Sequence, residues 1–230
     1  MTIATLPSSV INTPTDNLSA VLARFRGPNT WHSAWQVAST FTLYLLNWWL
    51  MWYSLSVSYG LTLALATVQA GLTIRLFVIH HDCGHGSFFR SRRLSDLVGF
   101  VFGTLTLTPY RSWQWSHARH HATSGNLDRR GHGDVLTVTV AEYRRMSPAR
   151  RLGYRLFRNP VVLFGVMPML LFVIVYRFPN TRRWGGAEGW SGVMPTNLAL
   201  LAAALLLSWW IGWETLLFLA APVVLISTTL

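Results

Sequence analysis

Residues 57–85 read VSYGLTLALATVQAGLTIRLFVIHHDCGH. From Val57 to Ile79 the only charge is Arg75, and beyond Ile79 imidazoles crowd together. A helix rises about 1.5 Å per residue, so a run of this length crosses the roughly 30 Å hydrocarbon core of a bilayer. Arg75 lies near the end of the run, where its guanidinium can snorkel to the headgroups. The run therefore delivers His81 and His85 together at one membrane surface. On a continuing helix they stand at i and i+4, so both imidazoles leave one face.

A second cluster, His117-Ala118-Arg119-His120-His121, repeats the device at i, i+3 and i+4. The two clusters can serve one metal centre only from the same side of the membrane. Between them, Leu97 to Tyr110 is apolar but too short to cross, and Gly99, Gly103 and Pro109 interrupt it. An interfacial or re-entrant segment is expected there. Crossings are expected at about 34–53, 57–79 and 160–176. Residues 197–230 hold either one crossing with an interfacial helix or two short crossings. The fold class is thus an all-α integral membrane protein, a multi-span helical bundle with a cytoplasmic histidine region. Residues 1–34 form a cytoplasmic tail, and 35–230 form one domain.

Composition points the same way. The chain is 51% hydrophobic with 12 Trp, more apolar side chain than a soluble domain of this length buries. Its net charge of +11 comes entirely from Arg. Pairs such as Arg129-Arg130, Arg144-Arg145 and Arg150-Arg151 concentrate it between Arg111 and Arg158. With apolar spans on either side, this basic stretch reads as a cytoplasmic face meeting anionic headgroups, or as a dock for an acidic electron-transfer partner; nucleic acid is not expected. Arg24 and Arg26 before the first span also place the N-terminus inside. Trp31, Trp35, Trp48, Trp49 and Trp52 suit an interfacial belt. The N-terminus lacks a secretory signal pattern, and the single Cys83 excludes a disulfide framework.

Neutral imidazoles leave a bound metal its full charge, which suits redox iron or hydrolytic zinc. The zinc-hydrolase pattern places a Glu between its ligands, whereas Asp82, Cys83 and Gly84 stand here. Structural zinc usually takes several Cys. Five clustered histidines exceed the needs of one tetrahedral zinc, so two metals fit the count.

The stretch His81-Asp82-Cys83-Gly84-His85-Gly86-Ser87-Phe88-Phe89 resembles the first histidine box of the membrane fatty acid desaturases, of the acyl-lipid delta-12 or omega-6 type. His117-Ala118-Arg119-His120-His121-Ala122, with Gly125-Asn126-Leu127-Asp128 after it, resembles their second box. The similarity continues through Gly153-Tyr154-Arg155 and Arg158-Asn159-Pro160, and covers most of the chain beyond residue 35. The resemblance implies a di-iron centre that uses O2 to place a cis double bond in an acyl chain. The substrate would be a membrane lipid or acyl thioester. Electrons would come from a ferredoxin or cytochrome b5-type protein, and the setting would be the bacterial inner membrane. It further implies that His81, His85, His117, His120 and His121 are iron ligands. The family's third box, His-x-x-His-His, does not follow His132, the last histidine. The chain is therefore read as a partial desaturase.

Asp82 and Asp128 are candidates for carboxylates that orient ligand imidazoles. His80 is expected to point off the ligand face, His132 to lie in a loop and His32 to be interfacial. Cys83 is read as a small packed residue. Two other readings stay open: a related histidine-box hydroxylase or oxygenase, and a non-catalytic membrane remnant.

Overall fold

The computed structural model describes residues 27–131, 133–179 and 189–230. Arg24, Arg26 and His132, with the expectations attached to them, lie outside the described residues. Every regular element among those described is helical. Helix α1 spans Thr30–Ser54 and α2 spans Tyr59–His85. Then come α3 (Arg92–Leu105), α4 (Tyr110–Thr123), α5 (Val140–Arg145), α6 (Pro148–Phe157) and α7 (Met167–Val173). Helices α8 (Met194–Ile211) and α9 (Trp213–Thr229) close the order.

Helix α1 starts where Asn29 Oδ1 accepts the backbone N–H groups of Trp31 and His32, inside the stretch expected to be tail. Its buried residues Ser33, Thr40, Tyr44, Asn47, Met51 and Ser54 recur at helical spacing and make one stripe. That stripe is mostly polar, while Trp35, Leu43, Leu46, Trp49 and Tyr53 lie exposed on the rest of the helix. Such inside-out patterning suits a helix with lipid outside and hydrogen-bonding neighbours inside. The neighbour is α2. Asn47 Nδ2 donates to Gln69 Oε1 at 2.8 Å and to the Leu65 carbonyl at 3.1 Å. The Ser54 and Thr62 hydroxyls pair at 2.7 Å. Arg75 Nε donates to Thr40 Oγ1 at 2.8 Å, so this side chain is tied to α1.

By length and composition, α2 and α8 are apolar enough to cross a membrane, or three spans qualify if a bent pair counts as one. Helix α1 has the length, at 25 residues. The bent pair is α6 with 161–177, turned by 62°. The stretch expected as one span at 160–176 is a π-turn over Val161–Val166, then α7, then a 3-10 turn over Val175–Arg177. Pro168 lacks the N–H that a continuous helix needs there. Residues 197–230 fall into two helices, broken at Gly212, whose φ of +83° a side chain disfavours. Helix α9 packs on the first pair, with Leu219 and Val223 against Met51 and Ala66.

Replacing Asn47 by Ala removes both amide bonds and leaves Gln69 Oε1 without that donor. A loss of about 1 kcal/mol is expected, read as a lower midpoint of thermal unfolding in detergent.

Candidate metal centre

The site stands where α4 crosses the last turns of α2. Helix α2 ends at Gly86, which takes φ +70° and donates its N–H back to the Asp82 and Cys83 carbonyls. The last turns therefore stay helical through His85, and the i, i+4 geometry expected of His81 and His85 holds. Gly84 lets the second helix approach. A Cβ there would lie 2.8 Å from the Trp113 ring. Gln114 Nε2 donates to the Gly84 carbonyl at 2.9 Å. The Tyr110 hydroxyl lies 3.1 Å from the Cys83 carbonyl and 3.0 Å from Asp96 Oδ1. Burial, and then the Asp96 carboxylate, push that hydroxyl well above its ordinary pKa, so it stays a donor. Three residues one turn apart, Tyr110, Trp113 and Gln114, thus fix α4 on α2.

One turn further on, α4 brings its histidines over those of α2. His117 Nε2 is 2.9 Å from His81 Nε2 and 3.2 Å from His85 Nε2. His121 Nε2 is 3.0 Å from His117 Nε2, and His85 Nε2 is 3.3 Å from His81 Nε2. One ligand atom from each of the four lies within 4.8 Å of all the others. Around an ion bound at about 2.1 Å, neighbouring nitrogens stand roughly 3.0 Å apart at right angles and about 3.4 Å apart in a tetrahedron. The measured separations match such edges, so the residues fit a metal. His117 stacks on Trp113, with ring centroids 4.4 Å apart. Its burial, reinforced by the neighbouring imidazoles, lowers its pKa to about 4. It is therefore neutral at pH 7, with a lone pair to offer.

His120 is held differently. Its Nδ1 lies 2.9 Å from Asp134 Oδ1, and it is not among the four that converge. The loop carrying Asp134 is fixed at both ends. Gly131 N–H donates to Asp134 Oδ2, and Arg130 pairs with Glu142 and donates to the Thr137 carbonyl. Asp82 meets His81, with Oδ1 3.0 Å from Nδ1. Asp128 lies in the 3-10 turn Leu127–Arg129, where Asn126 Oδ1 accepts its N–H. The carboxylate that reaches a second-cluster imidazole is Asp134, six residues beyond Asp128. His80 turns away from the cluster into the core, with Nδ1 2.8 Å from the Gly99 carbonyl. Cys83 is buried and His32 is exposed.

Comparison with known proteins identifies the family. The family model described as fatty acid desaturase matches residues 54–230. A fatty acid desaturase of Bacillus subtilis (strain 168) is 42% identical over 91% of the chain and 59% of its own length. The chain belongs to the fatty acid desaturase family. An sn-1 acyl-lipid omega-3 desaturase (ferredoxin) of Nostoc sp. (strain 36) is 34% identical over 67% of this desaturase-family chain and 44% of its own length. A delta-12 fatty acid desaturase of Calendula officinalis is 47% identical over 26% of the chain and 16% of its own length. The chain thus spans about three-fifths or less of these relatives. No solved structure matches.

Reading the histidines alone missed the residues that hold this cluster together: Tyr110, Trp113, Gln114 and Asp134. The sequence did carry a signal, since Tyr110, Trp113, Gln114, His117 and His121 share one helical face.

Gly84→Ala is expected to push Trp113 away and cost about 1–3 kcal/mol through overpacking. Metal affinity falls with it, because the same displacement moves His117. Thermal unfolding with and without added metal checks both effects.

Proposed function

We propose that this chain carries the first two histidine boxes of an O2-dependent di-iron desaturase acting on acyl chains of membrane lipids. The convergence of His81, His85, His117 and His121 on one point carries the reading. These four would hold iron, with His120 beside them as the fifth ligand of the boxes. When bound, iron supplies the O2 chemistry that removes two hydrogens from an unactivated acyl chain and leaves a cis double bond.

The chain's own residues prepare the site. Trp113 covers one face of His117 and keeps water from it. Asp82 orients His81, and Asp134 orients His120. A carboxylate on Nδ1 leaves Nε2 of each ring as the metal-facing atom. His85 and His121 are exposed, so the outer side of the cluster is open to further ligands or substrate.

The substrate would be a membrane lipid or acyl thioester held against the apolar helices. The relative from Nostoc carries ferredoxin in its name, which supports an external one-electron donor of that type. The setting would be the bacterial inner membrane, with the boxes facing the cytoplasm.

The test begins with metal analysis of the purified chain after growth with iron. Bound iron is expected in the parent protein and should be lost in His81→Ala and His117→Ala. Iron content indifferent to both substitutions would sink the reading. Asp134→Asn keeps the shape and removes the charge. A fall in iron affinity of about 10–100-fold is expected, measured by competition with a chelator.

A further inference from the structure

Helix α6 (Pro148–Phe157) is unlike the others. Ser147 Oγ accepts the Arg150 N–H to cap it, and Pro148 begins its first turn. Wound at about 100° per residue, it sorts its side chains into two halves. Ala149, Leu152, Gly153, Leu156 and Phe157 occupy one, and Arg150, Arg151, Tyr154 and Arg155 the other, continued by Arg158. The apolar half is not spent on the core, since Leu152 and Leu156 are 58% and 57% exposed. The basic half has no acid near it in sequence, because no Asp or Glu occurs between Glu142 and Glu188. Among the described residues, the arginines in ion pairs are Arg92, Arg111 and Arg130, none of them on α6.

Two features aim this helix at a surface. It turns by 62° from the apolar segment that follows, so it lies well off that segment's axis. Its arginines are also partly set in place. Arg155 Nε donates to the Tyr143 hydroxyl at 2.7 Å, and Arg151 donates to the Met146 and Arg144 carbonyls at 3.0 and 2.8 Å. A cleft of about 410 Å³ opens beside them, with Arg155, Arg158, Tyr143, Tyr154, Val138 and Val140 among its lining residues. Guanidinium groups at its rim suit the phosphate of a phosphodiester.

We infer that α6 lies in the membrane interface and binds anionic phospholipid. Leu152 and Leu156 enter the acyl boundary while Arg150, Arg155 and Arg158 meet headgroup phosphates, two of them at the cleft. An acidic soluble protein would account for the arginines but not for two exposed leucines on the opposite half. A bilayer accounts for both. The inference is independent of the metal centre and of the reaction proposed for it.

The experiment is amide hydrogen exchange over 147–158 in the full chain, reconstituted in nanodiscs. Discs of phosphatidylcholine alone are compared with discs containing phosphatidylglycerol. Exchange is expected to slow about tenfold or more with the anionic lipid. The difference should collapse in about 1 M salt, where the screening length is roughly 3 Å. R150Q/R155Q/R158Q should lose the lipid dependence, and L152N/L156N should lose protection in both discs. Equal exchange in the two discs overturns the inference. So does protection by added poly-L-glutamate without protection by phosphatidylglycerol, which would make α6 a dock for an acidic protein. The comparison of discs uses the unmodified chain, so a variant that fails to fold leaves the test intact.

Discussion

Gly84 has no side chain, and Trp113 occupies the space that one would fill. This contact sets the separation of α2 and α4, and the separation sets how the four imidazoles meet. Imidazole is short, and four of them meet at a point only if their helices lie within a narrow range of distances. Gln114 and Tyr110 then bind carbonyls in the last turns of α2, so the approach is locked as well as permitted. The same logic recurs behind the site. Gly99 and Gly103 lie where a Cβ would strike Tyr110, His80 and the Thr108 carbonyl, so α3 also sits close under the centre.

The rest of the bundle supports this arrangement with polar contacts. Asn47 with Gln69 and Ser54 with Thr62 join α1 to α2. Arg177 donates to the Leu107 carbonyl and, at 3.0 Å, to Asn197 Oδ1. One side chain thus ties the turn between α3 and α4 to the start of α8. Leu107 takes φ +58°, an unusual conformation for a residue with a side chain, and its carbonyl is the one that Arg177 holds. In an apolar surrounding, packing between helices gains little from hydrophobicity, so such bonds carry more of the specificity.

Much of this was legible. The apolar run ending at Ile79 announced a helix that continues through His81 and His85, and the i, i+4 spacings announced their common face. The two boxes also carried the family. What stayed hidden has physical causes. Asp134 lies thirteen residues beyond His121 across an irregular loop, and spacing says nothing about which carboxylate a loop will present. Asp128, nearer in sequence, lies in the short turn Leu127–Arg129. The break at Gly212 and the π-turn after Pro160 arise from local backbone demands inside apolar runs, where hydrophobicity is uniform and so uninformative. The polar stripe of α1 was readable as a period but not as an inner face, because a core is expected to be apolar.

Helical placement of the ligands has a consequence for how such a sequence can change over time. Each residue added between Trp113 and His117 would rotate the second cluster by about 100° and carry it along the axis by about 1.5 Å. No single-residue insertion there can be absorbed by bending, since Trp113 and Gln114 hold the helix on one side and the imidazoles converge on the other. Among the described residues, Ser124 to Val138 is irregular apart from one short turn, and length can vary there at lower cost wherever Asp134 keeps its reach to His120. The histidine spacings are therefore rigid for a reason separate from metal chemistry: they are the phase of a helix, and phase admits no fractional correction.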